Sequence, residues 1–443
     1  MRGSFTKRGR KCDVTVTKTH LKCTLKNNLG SNVLWSVSLD DILAVQTQSR
    51  DNSELNSVVV HYAARGKGHS LTWAKLVLSG DPDLCKELNN SFATTLPERL
   101  RPKTFLVVIN PNSGSKTAGR IFHKKVAPLL RTCNITFKVY ETRGPDDTPN
   151  AFQDVDFSEL DGVLCVGGDG HYSKVVTALV DKHQESVGAD VKDPDAELRP
   201  LPFPVGVIPG GSGNYIPFYL HGSRDPLTAA IKVVLGNSTP TNIVAVHQGG
   251  KLEGYCGLIC GFGLFGDMMY SCERTRWMGN LRYTVMPLKR IFSRRLIDVT
   301  VELQPESGSG DWQTISGSVY SVDTGVVDLA DRGAKLVPVF GDSAMTVHLA
   351  SQCPLGHHIK QLSKVQAWDS GAYDFDFVRT ERTSRFRISL PNAQTTTSAT
   401  GETSLEEHFY LNLDGEALLI HKPHFDVRLH TGVVTLFGTQ QHK

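Results

Sequence analysis

The sequence predicts an α/β nucleotide-binding domain joined to a β-sandwich and preceded by a β-rich domain. Three observations predict it. Short apolar runs alternate regularly with helical patterns from Thr104 onward, strand-type runs dominate on either side of that region, and glycine turns stand directly behind three of the apolar runs. Such alternation implies a mostly parallel sheet covered by helices. A chain of 443 residues has room for two or three domains, and its 40% apolar and 21% charged composition is that of a globular protein. The expected divisions are 1–97, 101–240 and 241–443.

In the first division, Cys12–Val16, Leu21–Leu25, Val33–Val37 and Val58–Tyr62 read as strands. Asp83–Phe92 reads as a closing helix, with Leu84, Cys85, Leu88 and Phe92 on one face. Pro97–Lys103 reads as a linker. The middle division runs through strand Phe105–Ile109, helix Ile121–Leu130, strand Ile135–Tyr140, strand Gly162–Val166, helix Tyr172–Val180, strand Val205–Ile208 and helix Pro226–Leu235. A polar, proline-bearing stretch at 184–203 reads as a surface excursion, and threonine-rich 391–407 as a mobile loop. The last division has strand runs at Val299–Leu303, Val319–Val322, Phe386–Leu390 and Val433–Phe437.

Composition excludes several classes. No run reaches the roughly 20 apolar residues of a membrane-spanning helix, and the basic amino terminus lacks the apolar core of a secretory signal. A net charge of +3, without basic stretches interleaved with aromatics, argues against nucleic acid. The nine cysteines sit mostly inside apolar segments without paired metal spacing, which predicts buried free thiols. The first thirty residues hold Arg2, Lys7, Arg8, Arg10, Lys11, Lys18, Lys22 and Lys26 against Asp13 alone. That local field suits an anionic membrane surface, so the expectation is a cytoplasmic protein peripherally associated with membranes.

The chemistry concentrates at the glycine turns. These are Asn110-Pro111-Asn112-Ser113-Gly114, Gly167-Gly168-Asp169-Gly170 and Pro209-Gly210-Gly211-Ser212-Gly213-Asn214. In a parallel sheet all three fall beyond the carboxyl ends of strands, where ligands bind. A missing Cβ lets main chain approach a phosphate, and a helix amino terminus behind each turn attracts negative charge. Together they read as a site for ATP. Asp169 is the one charged group within the second and third turns; a carboxylate beside phosphates either handles a metal ion or removes a proton, and the bland alternative is a helix cap. Downstream, Asp414-Gly415-Glu416 sets two carboxylates where they can hold Mg²⁺, or it is an ordinary Asp-Gly hairpin.

Asn110-Pro111 with Ser113-Gly114, the Gly167–Gly170 turn, the Pro209–Asn214 turn and Asp414-Gly415-Glu416, in this order, resemble the diacylglycerol kinase catalytic superfamily of lipid kinases. Arg101-Pro102-Lys103, Val126–Leu130, Asp161–Val166, Arg276–Gly279 with Leu281-Arg282-Tyr283, and Asp374–Val378 are similar to the ceramide kinase branch. The resemblance covers nearly the whole chain, including an amino-terminal module that looks like a pleckstrin-homology domain and would meet anionic lipids or phosphoinositides. It implies an ATP- and Mg²⁺-dependent kinase acting on a lipid hydroxyl. Asp169 would be the proton acceptor, and Asn110, Pro111, Ser113, Gly114, Gly167, Gly168, Gly170, Gly211, Ser212, Gly213 and Asn214 would line the nucleotide pocket. Arg276, Arg282 and Glu416 would also contact nucleotide, while Asp414 and Glu416 would organise Mg²⁺. Asp267 and Met269 would face substrate; Met269 stands where sphingosine kinases carry a second acid, and an apolar side chain there favours a neutral acyl lipid over an amine.

Some residues depart from the family pattern. Lys174 replaces the usual glutamate after the second turn, Gly210 replaces alanine, and the Cys-x3-Cys-x2-Cys cluster of animal ceramide kinases is absent from the carboxyl-terminal half. These keep two other readings open: a catalytically silent lipid-binding protein, and a kinase acting on diacylglycerol or a sphingoid base. The Gly-Gly-Asp-Gly turn alone also suggests an NAD kinase-like activity, against which the amino-terminal module and Met269 argue.

Overall fold

A computed structural model describes residues 1–7, 10–27, 30–49, 55–144, 146–211, 213–305, 310–331, 336–367, 369, 371–397 and 403–439. Ser212 and Arg8, named above, lie outside the described residues. The amino-terminal part is a seven-stranded antiparallel sheet followed by helix Pro82–Thr95. Asp81 caps that helix by accepting the Asp83 amide, and Pro82 fits the first turn because its missing N–H has no partner to lose there. Cys85, Leu88 and Phe92 are buried against Val14, Leu21, Val58 and Leu78 of the sheet.

The middle part carries four parallel strands: Lys103–Ile109, Ile135–Glu141, Gly162–Gly167 and Val205–Pro209. Gly162–Gly167 and Val205–Pro209 are buried along their whole length, as expected of strands covered on both faces. The expected helix at 121–130 is broken into Ala118–Ile121, a π-turn at Phe122–Val126, and Ala127–Thr132. Pro128 accounts for the interruption, because it supplies no N–H to the helical ladder and crowds the preceding turn.

The carboxyl-terminal strands were expected as a separate sandwich. Instead, they and the four parallel strands belong to one fifteen-stranded sheet. The last strand, His424–Phe437, makes the join: it pairs antiparallel with Ser238–Gln248 and Arg385–Ser389, and parallel with Val205–Pro209 through Val205 opposite Leu436. Its Phe437 packs against Phe105, at 5.7 Å between ring centroids. The carboxyl-terminal part encloses a second core around Val246, Phe262, Val301, Phe386 and Phe425.

Of the two loop expectations, the surface excursion holds, since 187–200 is exposed or half-buried without helix or strand, and only the mobile loop changes. Residues 187–203 are tied down onto the final strand and its neighbours: Arg428 donates to the carbonyls of Pro194 and Ala196, His247 Nε2 meets the Val191 carbonyl at 3.1 Å, and Arg385 and Arg428 pair with Asp195 and Glu197. Within 391–407, Thr395–Thr397 and Thr403–Leu405 form a small hairpin, consistent with the strand preference of β-branched threonine.

Candidate active site

The three glycine turns meet at the carboxyl edge of the parallel strands. Their contact is so close that side chains are excluded: a Cβ on Gly211 would lie 2.4 Å from the Gly168 Cα, and one on Gly114 would lie 2.9 Å from the Gly210 carbonyl. Gly114 also has φ of +54°, which an L side chain rarely adopts. The Gly210 amide donates to the Gly167 carbonyl at 2.8 Å, joining the second and third turns. Asn110 Oδ1 accepts the Asn112 amide and its carbonyl accepts the Ser113 amide, so the first turn is held by its own polar groups. Pro111 lies inside that turn, and Ser113 is buried.

Asp169 begins helix Asp169–Ser186, with Gly168 at its cap. Its Oδ1 accepts the Ile216 amide at 3.1 Å, and Gly213 is so near that a Cβ there would meet Oδ2 at 2.8 Å. Gly170 is exposed one residue further on. Burial pushes the Asp169 carboxyl above the usual range, opposed by the backbone amides of Tyr215, Ile216, Asp169 itself and Asn214. The result is a half-buried carboxyl, gripped on one side by main chain and set amid the three turns. Asn214 is structural in this arrangement: in left-handed conformation it both donates to and accepts from Gly211.

Asp414 and Glu416 have separate duties. Asp414 is buried, and its carboxylate accepts the amides of Gly257, Leu258 and Ile259 at 2.6, 2.8 and 2.8 Å and the Cys256 thiol at 3.1 Å. Four protein donors thus occupy it, which does not fit the expected metal ligand. Glu416 is half exposed and pairs with Lys174 at 2.8 Å. This pair lines a cavity of about 380 Å³ between helix Asp169–Ser186 and the Asp414 hairpin. Among the described residues, no group of three or more His, Cys, Asp or Glu side chains is arranged to hold a metal ion.

Asp267 and Met269 lie on helix Leu264–Arg274. The helix docks on strand Phe409–Leu413 because position 266 is glycine: a Cβ there would fall 1.9 Å from the Tyr410 carbonyl. Tyr270 stacks on Tyr410 with centroids 3.9 Å apart. Burial raises the Asp267 pKa, against Arg295 and Arg290. Arg282 opens helix Arg282–Phe292, where its guanidinium donates to the Tyr283 hydroxyl at 2.8 Å and lies over that ring. Arg276 lies in the turn Arg276–Leu281 preceding that helix.

Several site features escaped sequence reasoning. Arg224 Nε donates to the Gly213 carbonyl at 2.8 Å, fixing a cation at the third turn. A second cavity, of about 300 Å³, is walled by Tyr215, Leu258, Ile259, His348 and Tyr373 and contains Asp323. Asp323 Oδ2 accepts from Ser321 at 2.7 Å, but Oδ1 is buried without a described partner, and burial pushes the pKa up to about 8. Tyr215 connects this cavity to Asp169, since it directly precedes the Ile216 amide that holds the carboxylate. The only available sequence signal was an acid in an otherwise apolar strand run.

Against this geometry, residues 104–246 match the diacylglycerol kinase catalytic domain family. The solved structure of a diacylglycerol kinase from Bacillus anthracis str. Sterne superposes with a TM-score of 0.52 at 17% identity, covering 76% of this chain and 97% of that one, which establishes likeness of fold. That match, with the relatives named next, makes the chain similar to the lipid kinases that carry this catalytic domain and supports a lipid kinase. Within them it is ceramide kinase-like: it is 26% identical to a Homo sapiens ceramide kinase over 86% of this chain and 82% of that protein, and 24% identical to a Mus musculus ceramide kinase over 91% and 89%. An Arabidopsis thaliana sphingosine kinase 1 is 30% identical over 47% of this chain and 41% of its own length.

Proposed function

We propose that this protein transfers the γ-phosphoryl group of ATP to the primary hydroxyl of ceramide, yielding ceramide 1-phosphate. The observation that carries the transfer is the meeting of three glycine turns around Asp169. Phosphoryl transfer asks mainly for positioning and charge neutralisation. Backbone amides and helix amino termini at the turns supply both for the nucleotide. Asp169 accepts the proton as the lipid hydroxyl oxygen attacks phosphorus and ADP leaves. Since only the ionised carboxylate can take that proton, and burial raises its pKa, activity should fall on acidification at a pH above the ordinary aspartate range.

Mg²⁺ is proposed as the companion of ATP, neutralising phosphate charge when bound. Such an ion keeps water and phosphate ligands and needs only one or two carboxylates. Asp414 is occupied, so Glu416, after release from Lys174, is the better fitted of the expected pair.

Two features support ceramide over a sphingoid base. Met269 offers no charge to an ammonium group, and Asp323, with its pKa near 8, is mostly uncharged at neutral pH. A protonated carboxyl suits an amide or hydroxyl.

The amino-terminal sheet and helix support a pleckstrin-homology-like reading of residues 1–97. Lys7, Trp35, Tyr62 and Lys75 line an open cleft there, suited to an anionic headgroup. The proposed location is the cytoplasmic surface of a membrane; no described helix is long and apolar enough to cross one.

The deciding experiment follows labelled γ-phosphate from Mg·ATP onto ceramide, diacylglycerol and sphingosine in mixed micelles, with Asp169→Asn as control. Labelled ceramide, absent with Asp169→Asn, is the expected result. Label on sphingosine instead would overturn the substrate assignment, and full activity in Asp169→Asn would remove its role as base. The Lys174–Glu416 ion pair specifically favours a silent lipid-binding protein, because it spends the exposed acid on protein. For that reading, Mg·ATP should leave the melting temperature unchanged.

A further inference from the structure

Helix Arg282–Phe292 has no buried residue. Leu281, Val285, Leu288 and Phe292, spaced at four, three and four residues, form one stripe along it. Their exposures are 67%, 41%, 53% and 66%, and Trp277, just before the helix, is 83% exposed. Isolated exposed apolar residues are ordinary, but a contiguous helical stripe marks a surface that meets something. The opposite side of the helix is occupied: Arg290 donates to the Ser271 hydroxyl at 2.7 Å, and the Cys272 thiol reaches the Arg282 carbonyl. The stripe therefore faces away from helix Leu264–Arg274, on the outside of the molecule.

Charge identifies the occupant. From Arg274 to Arg295 the chain has seven lysines and arginines and no acidic residue. Lys289 and Arg295 are exposed beside the stripe. An apolar helical face bordered by cations, with tryptophan at one end, has the make-up of a helix lying in a lipid interface.

We infer that the segment Trp277–Phe292 is a membrane-docking surface, whose apolar stripe enters the headgroup boundary of an anionic bilayer while its cations meet lipid phosphates. It is separate from the amino-terminal module and requires only that the substrate be a lipid. Its position beside the helix that carries Asp267 and Met269 would let the enzyme take substrate directly from the bilayer.

The test uses the full chain with Leu288→Ser/Phe292→Ser and sedimentation with phosphatidylcholine vesicles, with and without phosphatidylserine. Wild type should bind the phosphatidylserine vesicles more strongly, and the double variant should lose about tenfold or more in partitioning, given the apolar surface removed. Phosphorylation of a water-soluble short-chain acceptor should remain unchanged, which separates failed docking from failed chemistry. Unchanged vesicle binding would overturn the inference. So would a wild-type dimer that the double variant converts to monomer, since a second copy would then cover the stripe. If the double variant does not fold, an environment-sensitive dye on Leu288→Cys gives the answer, because all nine native cysteines are buried. A blue shift on phosphatidylserine vesicles supports docking, and no shift rejects it.

Discussion

Asp323 makes a pH argument available at the scale of one residue. Its pKa is near 8 in the folded chain and near 4 when unfolded, so between those values the folded state binds the extra proton. Stability from this group therefore falls as pH rises through that window. Buried histidines act oppositely: His171, His348 and His358 are pushed down to about 4, and below their unfolded value near 6.5 the unfolded chain binds more protons. Above pH 7 those histidines are neutral in both states, leaving the Asp323 effect visible. Wild type should lose about 1 kcal/mol between pH 7 and 8 relative to Asp323→Asn, measured by urea unfolding at both values; parallel slopes would contradict it. Asp414 supports a second prediction. Alanine there strands three backbone donors, each costing about 1–3 kcal/mol if left unpaired, so Asp414→Ala should melt well below wild type. In Asp414→Asn the Mg²⁺ concentration for half-maximal activity should stay put; a large rise would restore Asp414 as a metal ligand. The turn residues and Asp169 were legible because glycine and a lone carboxylate have few other reasons to occupy such turns. Arg224 and the Lys174–Glu416 pair were not, since each acquires its meaning from a partner eleven or more residues away, and Asp323 was not because its meaning comes from the cavity that the fold builds around it.

Among the elements, the parallel strands and their order of appearance could be read with ease, because Lys103–Ile109, Gly162–Gly167 and Val205–Pro209 are nearly unbroken apolar runs. Polarity put 187–203 at the surface but could not show what holds it there: its acids find arginines on strands more than 180 residues downstream. Periodicity likewise could not announce the π-turn at Phe122–Val126, which preserves the apolar face while changing its pitch. The strap yields a test. Arg428→Ala removes the donor to Pro194 and Ala196 together with the Glu197 pair, so trypsin should cut at Lys192 many times faster while the helices keep their circular dichroism signal. Equal cleavage rates would show that the strap is held by other contacts.

Over the whole molecule, the amino-terminal sheet is fastened to the catalytic half rather than strung beside it. Gln46 donates to the Thr132 carbonyl, the Leu71 amide donates to Thr228, and Leu43 and Ala44 enter the core that contains Phe122 and Ile231. The proline-rich segment at 97–103 suggested a looser linkage, since contacts between distant segments leave little trace in local composition. A fragment comprising residues 101–240 should accordingly be poorly soluble and should show no cooperative melting, because it lacks both this partner and the last strand. A sharp calorimetric transition from that fragment would refute the expectation.

The last strand has a further consequence, for the order of events during synthesis. Val205–Pro209 emerges from the ribosome long before its neighbour His424–Phe437, and Gly206 and Gly162 lie bare beneath Phe437 until that ring arrives. The parallel-sheet half is therefore complete only once His424–Phe437 has been made and docked. Nascent chains halted before His424 should remain sensitive to protease across residues 103–209, and chains in which Phe437 has cleared the exit tunnel should become resistant.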